Sequence, residues 1–350
     1  MAASMKIIDA HAHITPDKAA LAVGIMDAAG IAAAVVCEWF NGFGDALVEH
    51  IAQFDKFPGR FFVFGNIDFS RIDSPDFATA AVDDLRRGVD AGMRGLKVYK
   101  GLGLEYKDAS GRLLRVNDER LDPVWAAAGE VGIPVLMHTA DPRAFWEPID
   151  EHNPWCQVLQ RWTDWTYYRR DLPSRDELLA ERNTVVRRHP GTKFIGPHLG
   201  SWEDDFGTLT EMLEDMPNLH VDISARFCSL GQSPARRQAA RKVFADFSDR
   251  ILFGTDSILV NGTADTDIQP QTFLTPERLP ERLANAGDDT LVATSVWFYE
   301  FHKVFLETDR PQGPVPFLGN DPSAELTGLA LSEDLLAKIY HANILRLLGE

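Results

Sequence analysis

The amino-acid sequence predicts an α/β fold with eight strand–helix units. Eight short runs rich in β-branched and aromatic residues recur along the chain, as is typical of strands. Segments with apolar residues at helical spacing separate these runs, and this alternation implies parallel strands joined by right-handed crossovers. The 350 residues fit one closed barrel with insertions. We therefore expect a (β/α)8 TIM barrel that forms a single domain over residues 1–350.

The predicted strands follow one another in order along the first three quarters of the chain. They are KIIDAHAH (6–13), IAAAVVCEW (31–39), FFVFGNIDF (61–69), RGLKVYK (94–100), IPVLMHTA (133–140), KFIGPHLG (193–200), LHVDIS (219–224) and ILFGTDS (251–257). The clearest helical segments between them are DFATAAVDDLRRGVDAG, LDPVWAAAGEVG, SRDELLAERNTVVRRHP, DFGTLTEMLEDMP and PARRQAARKVFADFSD, with Pro or Gly at their ends.

Two segments exceed the usual length of a connection, an insertion at 141–180 after the fifth strand and an extension at 258–350 after the eighth. The insertion is dense in aromatic residues, namely Trp146, Trp155, Trp162, Trp165, Tyr167 and Tyr168. Two interpretations stay open for it: a surface subdomain with its own small core, or a lid over an active site. The extension ends in LSEDLLAKIYHANILRLLG, which we expect to pack as an amphipathic helix on the outside of the barrel.

Composition and charge exclude several classes of function. The formal net charge is −17, from 52 acidic and 35 basic residues, so the overall field repels nucleic acids and anionic membranes. No apolar stretch approaches the roughly 20 residues that a membrane span needs, and the first residues lack the pattern of a signal peptide. The three cysteines lie far apart in no disulfide or zinc-ribbon spacing. We expect a cytoplasmic protein whose partner is a small molecule.

The first predicted strand carries a pair of histidines that suits a metal. Alternate residues of a strand face the same side, which groups Asp9, His11 and His13 and separates them from Ile8 and its apolar neighbours. Neutral imidazole is the commonest metal ligand, and residues two apart on a strand reach one cavity. Such a pair alone is a weak signal because it also arises by chance.

Three further residues strengthen the metal hypothesis. His138, His198 and Asp256 close the fifth, sixth and eighth predicted strands, and barrel enzymes build their sites at the carboxyl ends of strands. Five potential metal ligands then lie together at the carboxyl end of the barrel, which we call its mouth. The other histidines fall in helices, loops or strand beginnings, where packing or solvation is their ordinary role.

In this order and on these strands, IIDAHAH, PVLMH, FIGPHLGSW and ILFGTDS resemble the amidohydrolase superfamily. Within it they are most similar to the amidohydrolase-2 branch, which includes aminocarboxymuconate-semialdehyde decarboxylase. The resemblance implies that His11, His13, His138 and Asp256 bind one divalent metal, usually zinc, with manganese as an alternative. It also implies that His198 is a catalytic residue that stays largely off the metal. Members of the branch often form dimers, so a homodimer is an option for this chain, although nothing in the composition requires one.

The chemistry of these residues fits hydrolysis by a metal-bound water molecule. Three imidazoles and one carboxylate leave a zinc ion room for a water molecule, whose pKa can fall toward about 7. His198 could then polarise a carbonyl or exchange a proton, and Asp256 could move a proton as well as bind the metal.

Lys97 has the parity of a residue that points into the barrel, and Lys100 has the opposite parity, which predicts the outside. Superfamily members with two metals use a carboxylated lysine on the fourth strand as a bridge, and Lys97 is at that place. The branch that this chain resembles is generally mononuclear, so an anion anchor or a structural ion pair remains an alternative for Lys97.

Arg226 and Arg143 are candidates for binding a substrate carboxylate. Arg226 follows the seventh strand with the parity of Asp222, and Arg143 opens the aromatic insertion, where Trp146 is a further candidate for substrate contact. Guanidinium groups bind carboxylates with two parallel hydrogen bonds. The alternative for each arginine is a salt bridge, with Asp141 or Asp222 as the expected partner.

Together these residues predict a metal-dependent hydrolase that cleaves an ester, lactone or amide bond in a small carboxylated compound. The first alternative is a non-oxidative decarboxylase of an aromatic or unsaturated acid, which would use the same ligands. The second is a metal-binding scaffold without catalysis, against which the complete ligand set and His198 argue.

Overall fold

The computed structural model describes residues 5–38, 42–260, 290–312 and 326–350. Its strands are β1 Ile8–Ile14, β2 Ala33–Cys37, β3 Phe61–Gly65, β4 Gly95–Val98, β5 Val135–Met137, β6 Phe194–Gly196, β7 Leu219–Asp222, β8 Ile251–Leu252, β9 Ser257–Leu259, β10 Pro311–Gln312 and β11 Leu326–Thr327. Strands β1 to β9 form one sheet in which every pair is parallel, while β10 and β11 form a short antiparallel pair.

Most helices of the described residues lie between these strands, and the last two follow β11. They are α1 Ala19–Ala29, α2 Gly44–Phe54, α3 Phe77–Ala91, α4 Gly101–Leu104, α5 Asp122–Val131, α6 Cys156–Arg161, α7 Arg175–Arg188, α8 Pro197–Gly200, α9 Phe206–Asp215, α10 Phe227–Leu230, α11 Pro234–Asp246, α12 Thr290–Glu307, α13 Glu333–Ala337 and α14 Asn343–Leu348. A five-residue π-helical turn, Lys338–Ala342, joins the last two. No helix of the described residues has both the length and the apolarity to cross a membrane.

The sheet closes into the predicted (β/α)8 barrel. Neighbouring strands follow chain order from β1 to β8, with β8 beside β7 and β9 beside β1. The eighth barrel strand is therefore broken into β8 and β9, and the break at 253–256 lies at the mouth. Backbone hydrogen bonds bridge the break, from Ala10 N to Phe253 O and from Asp256 N to His11 O.

The core consists of two layers. Side chains inside the barrel form one cluster that joins several strands, including Ile8, Ala10, Val35, Phe64, Leu136, Ile195 and Leu252. A larger cluster fills the space between the strands and the surrounding helices. Some of the helices begin with a side-chain cap, as in α7, where Ser174 and Glu177 form a reciprocal capping box.

The parity predicted for β1 is wrong at Asp9, because the strand is irregular. Its register against β2 shifts between Asp9 and Ala12, and an extra residue in a strand reverses the side that the following residues face. Ala10 therefore packs inside the barrel, as His11 does, while Ala12 packs in the outer layer. Asp9 faces Thr255 and Tyr299 of the outer helix α12 rather than the mouth.

The C-terminal residues close the bottom of the barrel instead of lying along its outer wall. Ile344, Leu347 and Leu348 join the inner cluster, and Asn343 donates to the backbone oxygens of Ser248 and Ile251. The segment therefore packs at the bottom end of the barrel rather than along its side. The extension also supplies α12, which packs against α1, whereas its residues 261–289 and 313–325 lie outside the described residues.

Candidate active site

His11 and His13 present the same ring nitrogen to the barrel mouth. His11 Nδ1 donates to Asp222 Oδ2 at 3.0 Å, and His13 Nδ1 donates to the backbone oxygen of Cys37 at 2.9 Å. A hydrogen bond at Nδ1 fixes the tautomer and leaves Nε2 as the ligand atom. Burial lowers the pKa of His13 to about 4, so its imidazole is neutral, as a metal ligand must be.

Asp256 brings a carboxylate oxygen to these two nitrogens. Its Oδ1 lies 3.3 Å from His13 Nε2 and 3.5 Å from His11 Nε2. Although burial favours the neutral acid, the nearby imidazoles of His11 and His13 hold the pKa of Asp256 well below its ordinary value. Ligands about 2.1 Å from a tetrahedral metal lie roughly 3.4 Å from one another. The three donors therefore fit one divalent ion.

The break in the eighth strand aims Asp256 at the histidines. Asp256 has a φ of 62°, a left-handed conformation that costs an L residue on the order of 1 kcal/mol. The preceding residue is held by Asp9, which accepts from Thr255 N at 3.0 Å and from Thr255 Oγ1 at 2.6 Å. Tyr299 donates to the same carboxylate at 2.9 Å, so Asp9 supports the metal site from behind β1.

Lys97 lies inside the barrel, on the side that its parity predicts, and is only 1% exposed. Its Nζ donates to His11 Nε2 at 2.8 Å, the nitrogen that would face a metal. Lys97 thus contacts the proposed ligand set directly.

His138 stands apart from the three close donors. Among the described residues, the ligand atoms of His11, His13 and Asp256 all lie within 4.8 Å of one another. His138 does not belong to this group. The buried Nε2 of His138 makes no hydrogen bond to a described residue and faces Asp141 Oδ1 at 3.5 Å. Burial lowers the pKa of His138 to about 4, so its imidazole is neutral and can serve as a metal ligand.

Lys100 is not on the outside, contrary to the prediction from its parity. Strand β4 ends at Val98, so alternation no longer applies at residue 100. Lys100 Nζ donates to Asp141 Oδ2 at 2.5 Å, and Tyr167 donates to the same oxygen at 2.8 Å. This ion pair lies beside His138 at the mouth and fixes the carboxylate that faces it.

His198 lies in a left-handed turn that directly follows β6. Its φ is 59°, and its Nδ1 donates to the backbone oxygen of Ser224 at 2.9 Å. The ring centroid is 4.6 Å from that of His138 and 5.4 Å from that of His11. Burial, reinforced by the nearby charge of Arg226, holds the pKa of His198 well below its ordinary value. The neutral ring therefore has its proton on Nδ1, and Nε2 can accept one.

Asp222 connects the metal side of the site to His198. One oxygen accepts from His11 Nδ1, and the other accepts from the backbone N of His198 at 2.9 Å and from Ser224 Oγ at 2.5 Å. Burial alone would raise the pKa of Asp222, but the electrostatic interaction with the His11 imidazole and the hydrogen bond from it lower that pKa to about 2. Because these oxygens are already engaged, the close group of Asp222, His11 and His198 is a hydrogen-bond network rather than a second metal site.

The sequence model of the amidohydrolase-2 family, described as Amidohydrolase, matches residues 8–349, which include all of the groups above. The chain belongs to the amidohydrolase-2 family. This confirms the resemblance in the sequence motifs. None of the curated proteins matches the chain by sequence.

Solved structures with the same barrel include an uncharacterised TIM-barrel protein of Bordetella bronchiseptica, at 17% identity and a TM-score of 0.55, with 99% of both chains covered. A 2,6-dihydroxybenzoate decarboxylase complexed with 2,6-dihydroxybenzoate is 15% identical, with a TM-score of 0.51 and coverage of 99% of this chain and 100% of that one. A dihydroxybenzoic acid decarboxylase of Polaromonas sp. JS666, with bound manganese and the inhibitor 2-nitroresorcinol, is 15% identical with a TM-score of 0.53. That match covers 99% of this chain and 97% of the other.

In this amidohydrolase-2 member, Arg226 lies beside His198 and is 5% exposed. Its Nε is 3.4 Å from Glu203 Oε1, and its guanidinium carbon is 5.6 Å from the ring centre of Trp155. The expected alternative partner, Asp222, is instead engaged by His11. Glu203 Oε2 is buried and bonds to no described residue, so the pair has unused hydrogen-bonding capacity near His198.

Arg143 takes part in surface ion pairs rather than in the cluster around His198. Its side chain is 42% exposed and pairs with Asp204 at 3.0 Å and Asp176 at 3.4 Å, not with the expected Asp141. Trp146 packs on Tyr167, with ring centres 4.4 Å apart, and donates to the backbone oxygen of Pro173. These contacts hold Trp146 within the aromatic insertion.

The aromatic insertion has a small core and also reaches the mouth of the barrel. Phe145 packs on Trp155 and Trp165, which gives the insertion a small core of its own. The same segment reaches the mouth, because Trp155 faces Arg226 and Trp165 faces Lys100. It therefore forms one wall of the site.

Proposed function

We propose that this chain is a metal-dependent hydrolase that cleaves an ester, lactone or amide bond in a small carboxylated compound. One observation carries the proposal. Beside three donors spaced for a divalent ion, His198 holds its proton on Nδ1, which leaves Nε2 as a proton acceptor at the same mouth. A site with a metal and a neutral imidazole base suits the activation of water.

The proposed ligands are His11, His13 and Asp256, with His138 as the fourth after a small movement of its ring. A divalent ion held there supplies Lewis acidity to an oxygen atom of water or substrate. Two imidazoles and a carboxylate accept zinc or manganese, and the Polaromonas neighbour contains manganese. We propose one ion per chain.

His198 would accept a proton from the attacking water as the new carbon–oxygen bond forms, and return it to the leaving oxygen or nitrogen as the old bond breaks. Its backbone N and its Nδ1 are both tied, to Asp222 and Ser224, so the ring cannot rotate to present Nδ1 instead. Asp256, held ionised, would act as ligand and as a second proton acceptor.

Arg226 is the proposed anchor of the substrate carboxylate. Its guanidinium is buried beside His198 and is only partly used by Glu203, at 3.4 Å. Trp155 offers an aromatic face next to it, which would cover a planar or cyclic substrate. Arg143 and Trp146, which bond elsewhere, are weaker candidates for contact with a bound substrate.

Non-oxidative decarboxylation of an aromatic or unsaturated acid is the second candidate. The aromatic wall beside Arg226 favours it, and so do the decarboxylases of dihydroxybenzoates among the structural neighbours. In this reaction the carbon–carbon bond to the carboxylate would break and carbon dioxide would leave. A proton from water, given directly or relayed through the Asp256 carboxylate after that group has taken it up, would take its place on carbon.

A library of carboxylic acids and lactones that includes dihydroxybenzoates separates the two reactions. Purified protein loaded with zinc or manganese would be assayed in parallel for released carbon dioxide and for new acid groups. Hydrolysis predicts new acid groups that carry oxygen from 18O-labelled water, without carbon dioxide. Carbon dioxide with loss of an acid group would replace the hydrolase by the decarboxylase, and the His198→Ala variant serves as the control for contaminating activity.

A further inference from the structure

The turn that carries His198 is left-handed over four consecutive residues. The φ angles of His198, Leu199, Gly200 and Ser201 are 59°, 58°, 63° and 64°. Only the third is glycine, and residues with a Cβ avoid this region because Cβ crowds the following carbonyl oxygen. These residues belong to the short segment α8, but their backbone angles are not those of a right-handed helix. Something outside the turn must therefore hold it.

Each of the four carbonyl oxygens of the turn accepts a hydrogen bond. Those of His198 and Leu199 accept from the backbone N of Ser201, at 3.0 Å, and of Trp202, at 3.2 Å. The carbonyl oxygen of Gly200 accepts from Arg182 Nη1 at 2.7 Å, and that of Ser201 accepts from Arg175 Nη2.

Both arginines lie on α7, seven residues apart, so the same face of one helix supplies the donors for two consecutive carbonyls. Arg175 also pairs with Asp204, at 3.1 Å, close to the protein surface. Arg182 reaches deeper and supports the residue nearer to His198.

Arg182 is an unusual choice for this position. It is 1% exposed, and burial lowers its pKa to about 9, with the positive charge of Arg175 as a further cause. Among the described residues it pairs with no carboxylate; its other partners are Asn183 Oδ1, at 2.9 Å from Nη2 and 3.1 Å from Nε, and Met212 Sδ at 3.0 Å. An apolar side chain would fill the space without the cost of burying a charge. What only arginine supplies is a rigid set of N–H donors at this depth.

We propose that Arg182 is a positioning residue that holds the left-handed turn and thereby aims His198 Nε2 into the site. Arg182 does not touch the substrate; it acts through the Gly200 carbonyl. The inference rests on the proposed catalytic role of His198. Loss of the Arg182 contact would let the turn relax and the imidazole move, and a shift of about 1 Å at a catalytic group can lower turnover roughly a hundredfold.

The test compares Arg182→Lys and Asn183→Ala with Val185→Ala, all in the zinc-loaded full chain. Lysine keeps the positive charge but lacks the planar guanidinium with its several N–H donors. Asn183→Ala removes the side chain that accepts from Arg182 Nε and Nη2, so the guanidinium loses this support while Arg182 itself stays in place. Val185 is fully buried on the same helix and has no polar side-chain atom, so its truncation lowers stability without removing a hydrogen-bond donor from the turn. Asn183→Ala is the variant to rely on if Arg182→Lys does not fold.

Two readouts distinguish positioning from general destabilisation. For a working substrate, kcat is expected to fall at least about tenfold in Arg182→Lys and Asn183→Ala, with KM within roughly twofold of wild type. Independently of activity, 15N NMR of labelled histidines should show the Nδ1-protonated pattern of His198 in wild type and Val185→Ala. The same resonances, assigned with His198→Ala, should shift or broaden in the other two variants.

Unchanged kcat and unchanged His198 resonances in both variants would overturn the inference, as would an equal loss of kcat in Val185→Ala. If His198→Ala itself retains full turnover, the proposed function is wrong. The NMR comparison would still decide whether Arg182 holds the turn.

Discussion

Replacing Asp222 by Asn is expected to weaken metal binding without removing any proposed ligand. Asparagine has nearly the same volume, but both oxygens of Asp222 accept hydrogen bonds, one of them from His11 Nδ1 at 3.0 Å. The amide keeps only one oxygen, which is neutral and a weaker acceptor, and its NH2 group cannot accept at all. A hydrogen bond to a charged group contributes about 1.5–3 kcal/mol, and a tenfold change in affinity corresponds to about 1.4 kcal/mol. We therefore expect metal affinity to fall roughly 10–100-fold, the usual effect of losing a partner behind a ligating histidine.

The assay is competition between the metal-stripped protein and a chromogenic chelator for added zinc or manganese. Glu181→Gln is the matched control, because Glu181 is 5% exposed and its carboxylate accepts from the backbone of Val116, away from the site. Wild-type affinity in Asp222→Asn, or an equal loss in Glu181→Gln, would refute the idea that Asp222 holds His11 for the metal.

Two further substitutions test the proposed chemistry and the proposed anchor. His198→Ala should keep the metal content of wild type while lowering turnover by roughly a hundredfold or more, and loss of metal would instead make His198 a ligand. Arg226→Lys keeps the charge but loses the planar fork, so it should mainly raise KM for a carboxylated substrate. An equal penalty on an analogue that lacks one carboxylate would show that Arg226 serves only as the ion-pair partner of Glu203.

The barrel was predictable because its signal is repeated along the chain. Each strand is a local run of apolar residues, and neighbouring strands in a barrel follow chain order. The carboxyl ends of those strands then brought His11, His13 and Asp256 to one mouth.

What the sequence could not predict depends on contacts between distant residues. Alternation assigned Asp9 to the mouth, but the irregular register of β1 turns it toward Thr255 and Tyr299. The same alternation failed for Lys100, which lies beyond the end of β4 and pairs with Asp141. Local irregularities of this kind are set by packing rather than by residue type.

Asp222 and Arg182 were missed for different reasons. Asp222 lies near the end of a predicted strand, so the sequence could place it at the mouth. Its hydrogen bond with His11 joins residues 211 positions apart, and no local pattern indicates such a contact. Arg182 gave no signal at all, since an arginine on a helix ordinarily faces water. Its role depends on a left-handed turn that the sequence PHLGS does not predict, because only one of the four left-handed residues is glycine.

The metal content of the purified protein tests the central claim most directly. Elemental analysis should find about one zinc, manganese or similar ion per chain, and this content should be lost in His13→Ala and Asp256→Ala. Close to two ions per chain would favour a carboxylated Lys97 that bridges a pair of metals. No bound metal under any loading condition would contradict the account.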